Sequence, residues 1–449
     1  MEPGAQVEPG ALVALAAEAY VYGYPLVRDL SVVESSMYTG FGPLPPTPFN
    51  HFAHAGRSAP LGPPLSVDDD TVRSMAHLDL SGGPVLLHLP DPDGADGVFQ
   101  FVDTWTNNFA YVGRRAAGTR AGDWLVVPPG WAGSVPDGVR GVIDAPTSVV
   151  SVIGRGACDG SDDPERVRAF RERLTVIYVE PGTHRTGLPA PDPDVPEPLR
   201  FFEQLRVWMA DFPPAAPDQA YQDRFQPLGL LEEGPSPYTA ADPALVRALT
   251  EGLARGRAWV EEASRAAVAR GGWVMDPHRY DYNLDHHGVG TIDSPQWRIA
   301  DREASYRARA VAARSALWGV HGYEAVYAHT LSDAGGEQLN GAHSYVLRLA
   351  GPPPVGSSWS LAVYDTSGDR PVEAPGGRRP VGDRTPGLVY GEDGSLTIRV
   401  QRERPDDPVA AANWLPAPDR DFRSVLRLCA PGPEILDGTY EIPALERIR

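Results

Sequence analysis

A long stretch of the chain alternates hydrophobic and polar residues with a period of two. It runs from about residue 84 to residue 153 and includes VLLHLP, VFQFVDTW, WLVVPP and SVVSVIG. Side chains on a strand point alternately to opposite faces, so this period is typical of strands with one buried face. Glycine and proline turns follow at short intervals, which favours antiparallel sheet over strands joined by crossover helices.

The same alternation returns beyond about residue 341, in SYVLRL, WSLAVYD, SLTIRVQ and RSVLRLCAP. Between the two stretches, hydrophobic positions recur at helical spacing. In ADPALVRALTEGLARGRAWVEEASRAAVA, for example, Leu245, Leu249, Leu253 and Val260 form one apolar face. The pattern therefore predicts a second antiparallel sandwich, with helices between the two β-rich regions.

Two further helices are predicted in the first half. ALVALAAEAYVYGYPLV indicates an amphipathic helix that ends before Gly23 and Pro25, because glycine and proline disfavour a helix interior. VRAFRERLTVIYV follows Pro164 and indicates a helix that begins there.

Together these patterns predict an α+β fold, mainly β, with two antiparallel β-sandwich (jelly-roll-like) domains and a helical region between them. We expect an N-terminal β-rich domain with a first helix at residues 1–182 and a C-terminal sandwich at 336–449. Residues 183–335 are expected to form a linker, which opens with the proline-rich THRTGLPAPDPDVPEP, and the helical region. A length of 449 residues agrees with more than one core.

Charge narrows the range of partners. The formal net charge is −19 at pH 7, which opposes binding to a nucleic-acid backbone because that binding needs a dense cationic face. The N-terminal apolar run has no basic residue before it and contains Glu18, unlike a signal peptide, and no other run reaches membrane-spanning length. We therefore expect a cytoplasmic protein, with no membrane partner, that can form a homo-oligomer.

Several known motifs are missing from the sequence. It contains no nucleophile elbow GxSxG, no P-loop, no complete GxGxxG and no helical HExxH. Its two cysteines, Cys158 and Cys429, are too few for a disulfide framework and too far apart for a zinc knuckle. No metal and no cofactor is expected.

Several ordered motifs resemble two bacterial families. NHFAHAGR, HLDLSGGPVLLHLP and DTWTNNFAYVGRRAAGTRAGDWLVVPPGWAG are similar to the domain of unknown function 1254. LNGAHSYVLRL, WSLAVYD and NWLPAPDRDFRSVLRLCAPGPEILDGTYEIP are similar to its usual companion, the domain of unknown function 1214. The resemblance covers nearly the whole chain. It implies β-rich domains with helices between them, together with a hydrolytic activity that has been proposed for members.

The acidic cluster in SVDDDTVRS is the first candidate site. The resemblance marks Asp70 and Thr71 as matching positions, whereas Asp69 stands where relatives commonly carry asparagine. Alternation along a strand lets Asp68 and Asp70 converge while Asp69 diverges. The cluster is compatible with a solvated turn, a polar site or a calcium-type site, and a metal is the least favoured because no EF-hand spacing follows.

The segment DTWTNNFAYVG is the second candidate. On a strand, Asp103, Trp105 and Asn107 would share one face, where the carboxylate could act as a general base beside an apolar wall. Cross-strand hydrogen bonding around a buried tryptophan explains the same residues without a function.

The remaining candidates lie in the second half. DYNLDHHGVGTID is dense in titratable side chains, including Asp281, Asp285 and His286, and histidine is suited to proton transfer near neutral pH. A polar loop is the alternative. Tyr364 in WSLAVYD could reach a ligand, and Asn413 and Trp414 in NWLPAP could bind one or form a rigid corner.

These residues predict a cofactor-independent enzyme that acts on a small organic molecule. Its most concrete form is ester or amide hydrolysis, with Asp70, Asp103, His286 and Tyr364 as acid–base groups and Thr71, Trp105, Asn107, Asn413 and Trp414 as substrate contacts. Lyase or isomerase chemistry is an alternative. Two other classes are a protein that binds carbohydrate or another small polar ligand without catalysis, and an assembly module.

Overall fold

The computed structural model describes residues 9–55, 71–91, 97–118, 120–157, 164–180, 182–265, 269–270, 272–366 and 380–448. Within these ranges the α-helices are α1 Pro9–Tyr38, α2 Arg114–Ala117, α3 Pro164–Arg173, α4 Arg200–Asp211, α5 Gln219–Asp223, α6 Pro243–Arg265, α7 Arg302–Ala316, α8 Pro408–Ala412 and α9 Pro433–Leu436.

The first β-rich region is a sandwich of two sheets. Its strands are β1 Phe52–His54, β2 Thr71–Asp79, β3 Val85–Leu89, β4 Gly97–Asp103, β5 Asn108–Gly113, β6 Gly122–Val127, β7 Gly141–Asp144, β8 Val149–Ala157 and β9 Thr175–Tyr178. One sheet has the order β1-β2-β8-β4-β5 and the other the order β7-β6-β3-β9. Their facing side chains, among them Phe101, Leu87 and Val126, form the core between the sheets.

The C-terminal region repeats this plan. Its strands are β10 Ala269–Arg270, β11 Trp273–Val274, β12 Ala325–Thr330, β13 Ser344–Leu349, β14 Trp359–Asp365, β15 Val381–Gly382, β16 Leu396–Gln401, β17 Trp414–Pro416, β18 Phe422–Cys429 and β19 Glu446–Ile448. The sheet β10-β11-β12-β18-β14-β15 packs on the sheet β17-β16-β13-β19 around a second core. In both regions the four-stranded sheet ends in a parallel pair, β6–β7 and β16–β17, whereas the other described pairs are antiparallel. The predicted α+β fold with two β-rich halves is confirmed.

Helix α1 does not end before Gly23 and Pro25 but continues to Tyr38. It packs against α4, α6 and α7 in the helical layer, where Leu26 and Leu30 are fully buried. A Cβ atom at Gly23 would lie 2.4 Å from the side chain of Leu205, so this glycine permits a close approach of two helices. Burial of the apolar stripe offsets the hydrogen bond that Pro25 cannot donate.

Among the described residues, the segment Gly10–Tyr38 of α1 has the length and hydropathy of a membrane-spanning helix. Half of its most apolar window is buried inside the protein, and the buried core helix of a soluble protein has the same length and composition. The feature is therefore weak evidence for a membrane segment.

Helix α3 is shorter than the sequence pattern predicted. It ends at Arg173, and the following Thr175–Tyr178 forms β9, which pairs with β3. The β-branched Thr175, Val176 and Ile177 suit a strand, and pairing with β3 completes the second sheet of the sandwich.

The sheet β1-β2-β8-β4-β5 has a second face that turns toward the helices. Met75, Val102 and Ile153 on this face join the core of the helical layer. Buried polar side chains lie among them, including His77, Gln100 and Arg155. This polar face and the outer face of the C-terminal six-stranded sheet together position the candidate site.

Candidate functional site

The six-stranded sheet has an outer face that is unusually polar. Along β18, Phe422, Leu426 and Leu428 point into the C-terminal core, so the alternate residues Arg423, Val425, Arg427 and Cys429 point the other way. The register places Tyr327 of β12 beside Arg427 and His329 beside Val425 on this outer face. The face lies opposite the N-terminal sandwich across a cleft.

Two adjoining pockets occupy the cleft. Pocket A, of about 280 Å³, is lined by Gly97, Val98, Arg114, Arg115, Arg155, Glu324, Tyr327, Arg427 and Cys429, among others. Pocket B, of about 220 Å³, is lined by Arg155, Asp276, Arg279, Tyr280, Gly319, Tyr327, His329 and Arg423, among others. Arg155 and Tyr327 belong to both, so the pockets are contiguous. Together they reach the size typical of small-molecule sites.

The segment from Leu317 to Gly322 runs between the two sandwiches and forms part of both pocket walls. Trp318 has a left-handed backbone (φ 60°), and its carbonyl oxygen accepts a hydrogen bond of 2.8 Å from Arg155 Nη2. The Gly319 carbonyl oxygen accepts from Gln100 Nε2 and Asn108 Nδ2, both at 2.9 Å. Buried side chains of the N-terminal sheet thus fix the backbone that shapes the pockets.

Gly319 and Gly322 are needed for this close packing. A Cβ atom at Gly319 would lie 1.8 Å from the hydroxyl oxygen of Tyr280, and one at Gly322 would lie 2.2 Å from the carbonyl oxygen of Pro277. The turn around residues 276–281 is therefore seated directly on the segment between the sandwiches.

This turn carries a histidine–carboxylate pair. His278 Nδ1 lies 2.6 Å from Asp281 Oδ2, and the His278 ring packs on Trp297 at 4.9 Å between centroids. Asp281 is buried, whereas 44% of the His278 side chain is exposed. Burial raises the pKa of Asp281 to about 6, and the hydrogen bond from His278 opposes that rise. Among the described residues His278 Nε2 has no hydrogen-bond partner, so the pair can accept a proton there.

The turn that carries the pair contributes to the wall of pocket B. His278 itself is not in the pocket wall, but Asp276, Arg279 and Tyr280 on either side of it are. Arg279 forms an ion pair of 3.6 Å with Asp276.

Asp103, Trp105 and Asn107 do not share a strand face, because β4 ends at Asp103 and β5 begins at Asn108. They form the hairpin turn, in which Thr106 has a left-handed backbone (φ 65°). Asp103 accepts hydrogen bonds from the backbone N–H and the side-chain Nδ2 of Asn107, both at 2.8 Å. The carboxylate therefore closes the turn. The sequence alternation continued without a break through the turn, so it gave no sign of the reversal.

Trp105 extends from this turn into the helical core. Its Nε1 donates to the Phe212 carbonyl oxygen at 2.9 Å, and its ring packs against Tyr22. Its own carbonyl oxygen accepts from Arg309 at 2.6 Å. The indole thus joins the hairpin to the helices and does not line either pocket.

His286 lies close enough to Asp103 for their charges to interact. The pKa of Asp103 is raised by burial, and His286 and Arg309 partly oppose the rise. The loop is held by Asn283, whose Nδ2 donates to the Asn108 carbonyl oxygen at 3.0 Å. The structure therefore brings Asp103, Asn107 and His286 together at the hairpin, but none of them lines pocket A or pocket B.

The C-terminal candidates are placed elsewhere. Tyr364 lies on the outer face of the six-stranded sheet, where Arg423 sits over its ring at 5.6 Å, but it is not part of either pocket wall. Asn413 holds Val389 by two hydrogen bonds of 2.7 and 2.9 Å, and Trp414 donates to the Gln401 carbonyl oxygen at 2.8 Å. Asn413 and Trp414 stabilise a corner of the sandwich, which was the alternative interpretation of NWLPAP.

Two candidates fall outside this description. Asp70, like Cys158, lies outside the described residues, and of Thr71 only the backbone pairing with Ala157 is described. Among the described residues, no three histidine, cysteine or acidic side chains are grouped so that they could hold a metal ion.

Asp29 gives a prediction about pH. It is fully buried beside Asp103 and accepts a hydrogen bond from Trp318 Nε1, and burial raises its pKa well above the usual value. A raised carboxyl pKa contributes stability below the pKa of the unfolded chain, and that contribution is lost as pH rises. We expect Asp29→Asn, which keeps an acceptor for Trp318, to gain thermal stability relative to wild type as the pH rises above the ordinary aspartate pKa of about 4.

The exposed Asp419→Asn is the control for this prediction, because 62% of its side chain is exposed. Thermal unfolding across the pH range should show a growing advantage for Asp29→Asn alone. A difference in thermal stability between Asp29→Asn and wild type that does not change with pH would contradict the raised pKa of the Asp29 carboxyl.

Comparison with known families agrees with the two-part architecture. Residues 49–178 match the model described as "Protein of unknown function (DUF1254)", and residues 324–433 match "Protein of unknown function (DUF1214)". The N-terminal and C-terminal halves of the chain therefore each contain a match to one of two domain families. Arg155 lies in the DUF1254 match, and Arg423 and Arg427 lie in the DUF1214 match. His278 lies between the two matches.

The fold of this chain is similar to that of a solved structure. A crystal structure of a protein from Vibrio parahaemolyticus has a TM-score of 0.75 at 22% identity and covers 98% of this chain and 100% of that one. An uncharacterized protein from Burkholderia cenocepacia has a TM-score of 0.45 at 12% identity, with coverage of 96% and 89%. The first shows the fold. None of the curated proteins compared with the chain matches it.

Proposed function

We propose that the protein is a cofactor-independent enzyme that acts on a small organic molecule held between its two sandwiches. Ester or amide hydrolysis is the most concrete form of the proposal. The observation that carries it is the His278–Asp281 pair, 2.6 Å apart, on a turn whose residues Asp276, Arg279 and Tyr280 line pocket B. Aspartate bound to one ring nitrogen fixes the histidine tautomer and leaves the other nitrogen as the base.

The chemistry uses only groups of the chain and water. His278 Nε2 takes a proton from a water molecule as its oxygen attacks the carbonyl carbon of the substrate. The negative charge that develops on the carbonyl oxygen is suited to the N–H donors of Arg279, which lines the adjoining pocket wall. The imidazolium then returns the proton to the leaving alcohol or amine, which restores the pair.

Binding without catalysis is the second candidate. It is favoured by one observation, namely that His278 is not part of the wall of pocket B. Arginine and tyrosine side chains in the pockets would be enough to hold a small polar molecule. In this case the histidine–aspartate pair would stabilise only the turn on which it sits.

A screen of wild-type protein against a library of small esters and amides tests the first candidate. We expect turnover of a subset of the library, and that turnover should remain when metal ions are chelated. Ligands that raise the thermal stability of the protein but are recovered unchanged would favour the binding candidate instead.

A further inference from the structure

One histidine, His329, forms part of the wall of pocket B from an interior strand of the six-stranded sheet. Along β12, Val326 and Ala328 join the C-terminal core, so His329 lies on the opposite face, toward the cleft. The register places Val274 of β11 on one side of it and Val425 of β18 on the other, and both valines line the same pocket. The imidazole is therefore a polar group between two apolar cross-strand neighbours.

The His329 ring has no hydrogen-bond partner among the described residues, although its side chain is only partly exposed. The valines on either side of it carry no side-chain donor or acceptor. Its ring nitrogens nevertheless keep contact with solvent, whereas an enclosed unpartnered atom such as His77 Nε2 does not. The ring nitrogens are thus accessible to a molecule in pocket B.

Three other described histidines have a similarly lowered pKa but a protein partner. The pKa values of His54, His77 and His321 are lowered to about 4, 3 and 3, mainly by burial, and that of His329 to about 4. Each of the first three bonds a side-chain hydroxyl through Nδ1, with distances of 2.9, 3.0 and 2.9 Å to Ser74, Ser151 and Tyr111. Most buried polar groups are bonded in this way, and an exception in a pocket wall is explained by a ligand that supplies the partner.

The His329 ring is uncharged near neutral pH. Burial is the main cause of its low pKa, and the positive charges of Arg423 and Arg279 add to the effect. A neutral imidazole has one N–H donor, and either ring nitrogen can carry the proton where no protein group fixes the tautomer. Such an N–H is a suitable donor for a carbonyl oxygen that gains negative charge during a reaction.

We propose that His329 binds the substrate in pocket B by donating an N–H hydrogen bond to the oxygen of its carbonyl group. This inference rests on the proposed function, because it names the side chain that would hold the ester or amide. Arg279, which the proposed mechanism assigns to the same oxygen, lies near enough for its charge to act on the His329 ring. An interior strand holds such a contact more precisely than a loop does. The alkyl part of the substrate would then lie on Val274 and Val425.

Nitrogen NMR of protein with ¹⁵N-labelled histidine tests this contact without any turnover. The probe is methyl propyl ketone, which cannot be hydrolysed, and its neutral match is methyl propyl sulfide, because a thioether is only a weak acceptor. The signals of His329 are those that disappear in His329→Phe. We expect the ketone to shift them toward one fixed tautomer and the sulfide to leave them unchanged. An equal response to both probes, or no response to the ketone, would overturn the inference.

Substitutions separate the hydrogen bond from the packing of the ring. His329→Phe keeps a ring but has no N–H, so it should lower the affinity for methyl propyl ketone by about 3–10-fold, the value of one hydrogen bond. His329→Asn and His329→Gln each carry an amide N–H close to one of the two ring nitrogens, so at least one of them should bind the ketone more tightly than His329→Phe does. His88→Phe is the matched control, because His88 lies on β3 and in neither pocket wall.

Two results of this series would count against His329 as the donor. One is an affinity in His329→Phe equal to that of wild type, and the other is the same loss in His88→Phe or in all three variants of His329. Thermal unfolding shows whether each variant is folded. If His329→Phe does not fold, the comparison of ketone and sulfide on the wild-type protein decides, with His329→Asn used to assign the signals.

One further variant separates this inference from the proposed function. His278→Gln should bind methyl propyl ketone as tightly as wild type, because His278 is not part of either pocket wall. If the ketone binds through His329 but turnover does not depend on His278, only the proposed function fails. If turnover depends on His278 while His329→Phe keeps both the affinity and the turnover of wild type, only the inference about His329 fails.

Discussion

Replacement of His278 by glutamine is expected to reduce turnover of a library ester or amide by about 10²–10⁴-fold, the range typical of a lost general base. Glutamine keeps a hydrogen-bonding group near Asp281 but cannot take up a proton from water at neutral pH. Steady-state kinetics of wild-type and variant protein measure the effect. Thermal unfolding of both shows whether the fold is unchanged, since only 44% of the His278 side chain is exposed and its ring contacts Asp281 and Trp297.

His286→Gln is the matched control for this prediction. His286 lies eight residues further along the same irregular region, beside the hairpin that contains Asp103, and it lines neither pocket. We expect His286→Gln to keep turnover close to that of wild type. Loss of turnover in His286→Gln with full activity in His278→Gln would return the acid–base role to the residue that the sequence indicated.

Gly252→Ala is expected to destabilise the helical layer. Gly252 and Gly256 of α6 face α1, and a Cβ atom at Gly252 would lie 2.3 Å from the Ala16 Cβ and 2.9 Å from backbone atoms of α1. Alanine favours a helix over glycine by up to about 1 kcal/mol, but overpacking of a rigid contact costs about 1–3 kcal/mol. Because backbone atoms cannot move aside, the clash should dominate and lower the midpoint of thermal unfolding.

The control for this effect is Gly10→Ala at the start of α1, where a Cβ atom would have nothing within 4 Å. That variant should unfold at the same temperature as wild type or slightly above it. Circular dichroism during heating measures both. A Gly252→Ala protein as stable as Gly10→Ala would contradict the close packing of α1 on α6.

Local patterns predicted the β-rich halves because strand alternation is a property of adjacent residues. In RSVLRLC, for example, Leu426 and Leu428 lie two residues apart, so the alternation predicts that both face the same core. The structure places them there. The pattern could not predict the course of α1 past Gly23 and Pro25. The reason for that course is contact with Leu205, a residue far away in the sequence.

The candidate site was harder to predict for the same reason. Asp281 lies in the string DYNLDHHGVGTID, which is dense in titratable side chains, but its partner His278 lies three residues earlier, outside that string. The i, i+3 spacing of His278 and Asp281 is the sequence signal that indicates a local pair. The arginines of the pockets come from segments up to about 300 residues apart, and only the folded chain brings them together.

The central claim is that His278 and Asp281 act together as the base, and the pH dependence of kcat/KM for wild type and Asp281→Asn tests it most directly. The pair is faced by Asp276 and Arg279 on the same turn and by the uncharged rings of Trp297 and Tyr323. Asp281 holds the His278 tautomer in its ionised form, and burial raises the pKa of Asp281 to about 6, so activity should rise as the pH rises through about 6. In Asp281→Asn we expect a lower kcat/KM and a shift in the pH at which the activity rises. Superimposable profiles for the two proteins would contradict the claim.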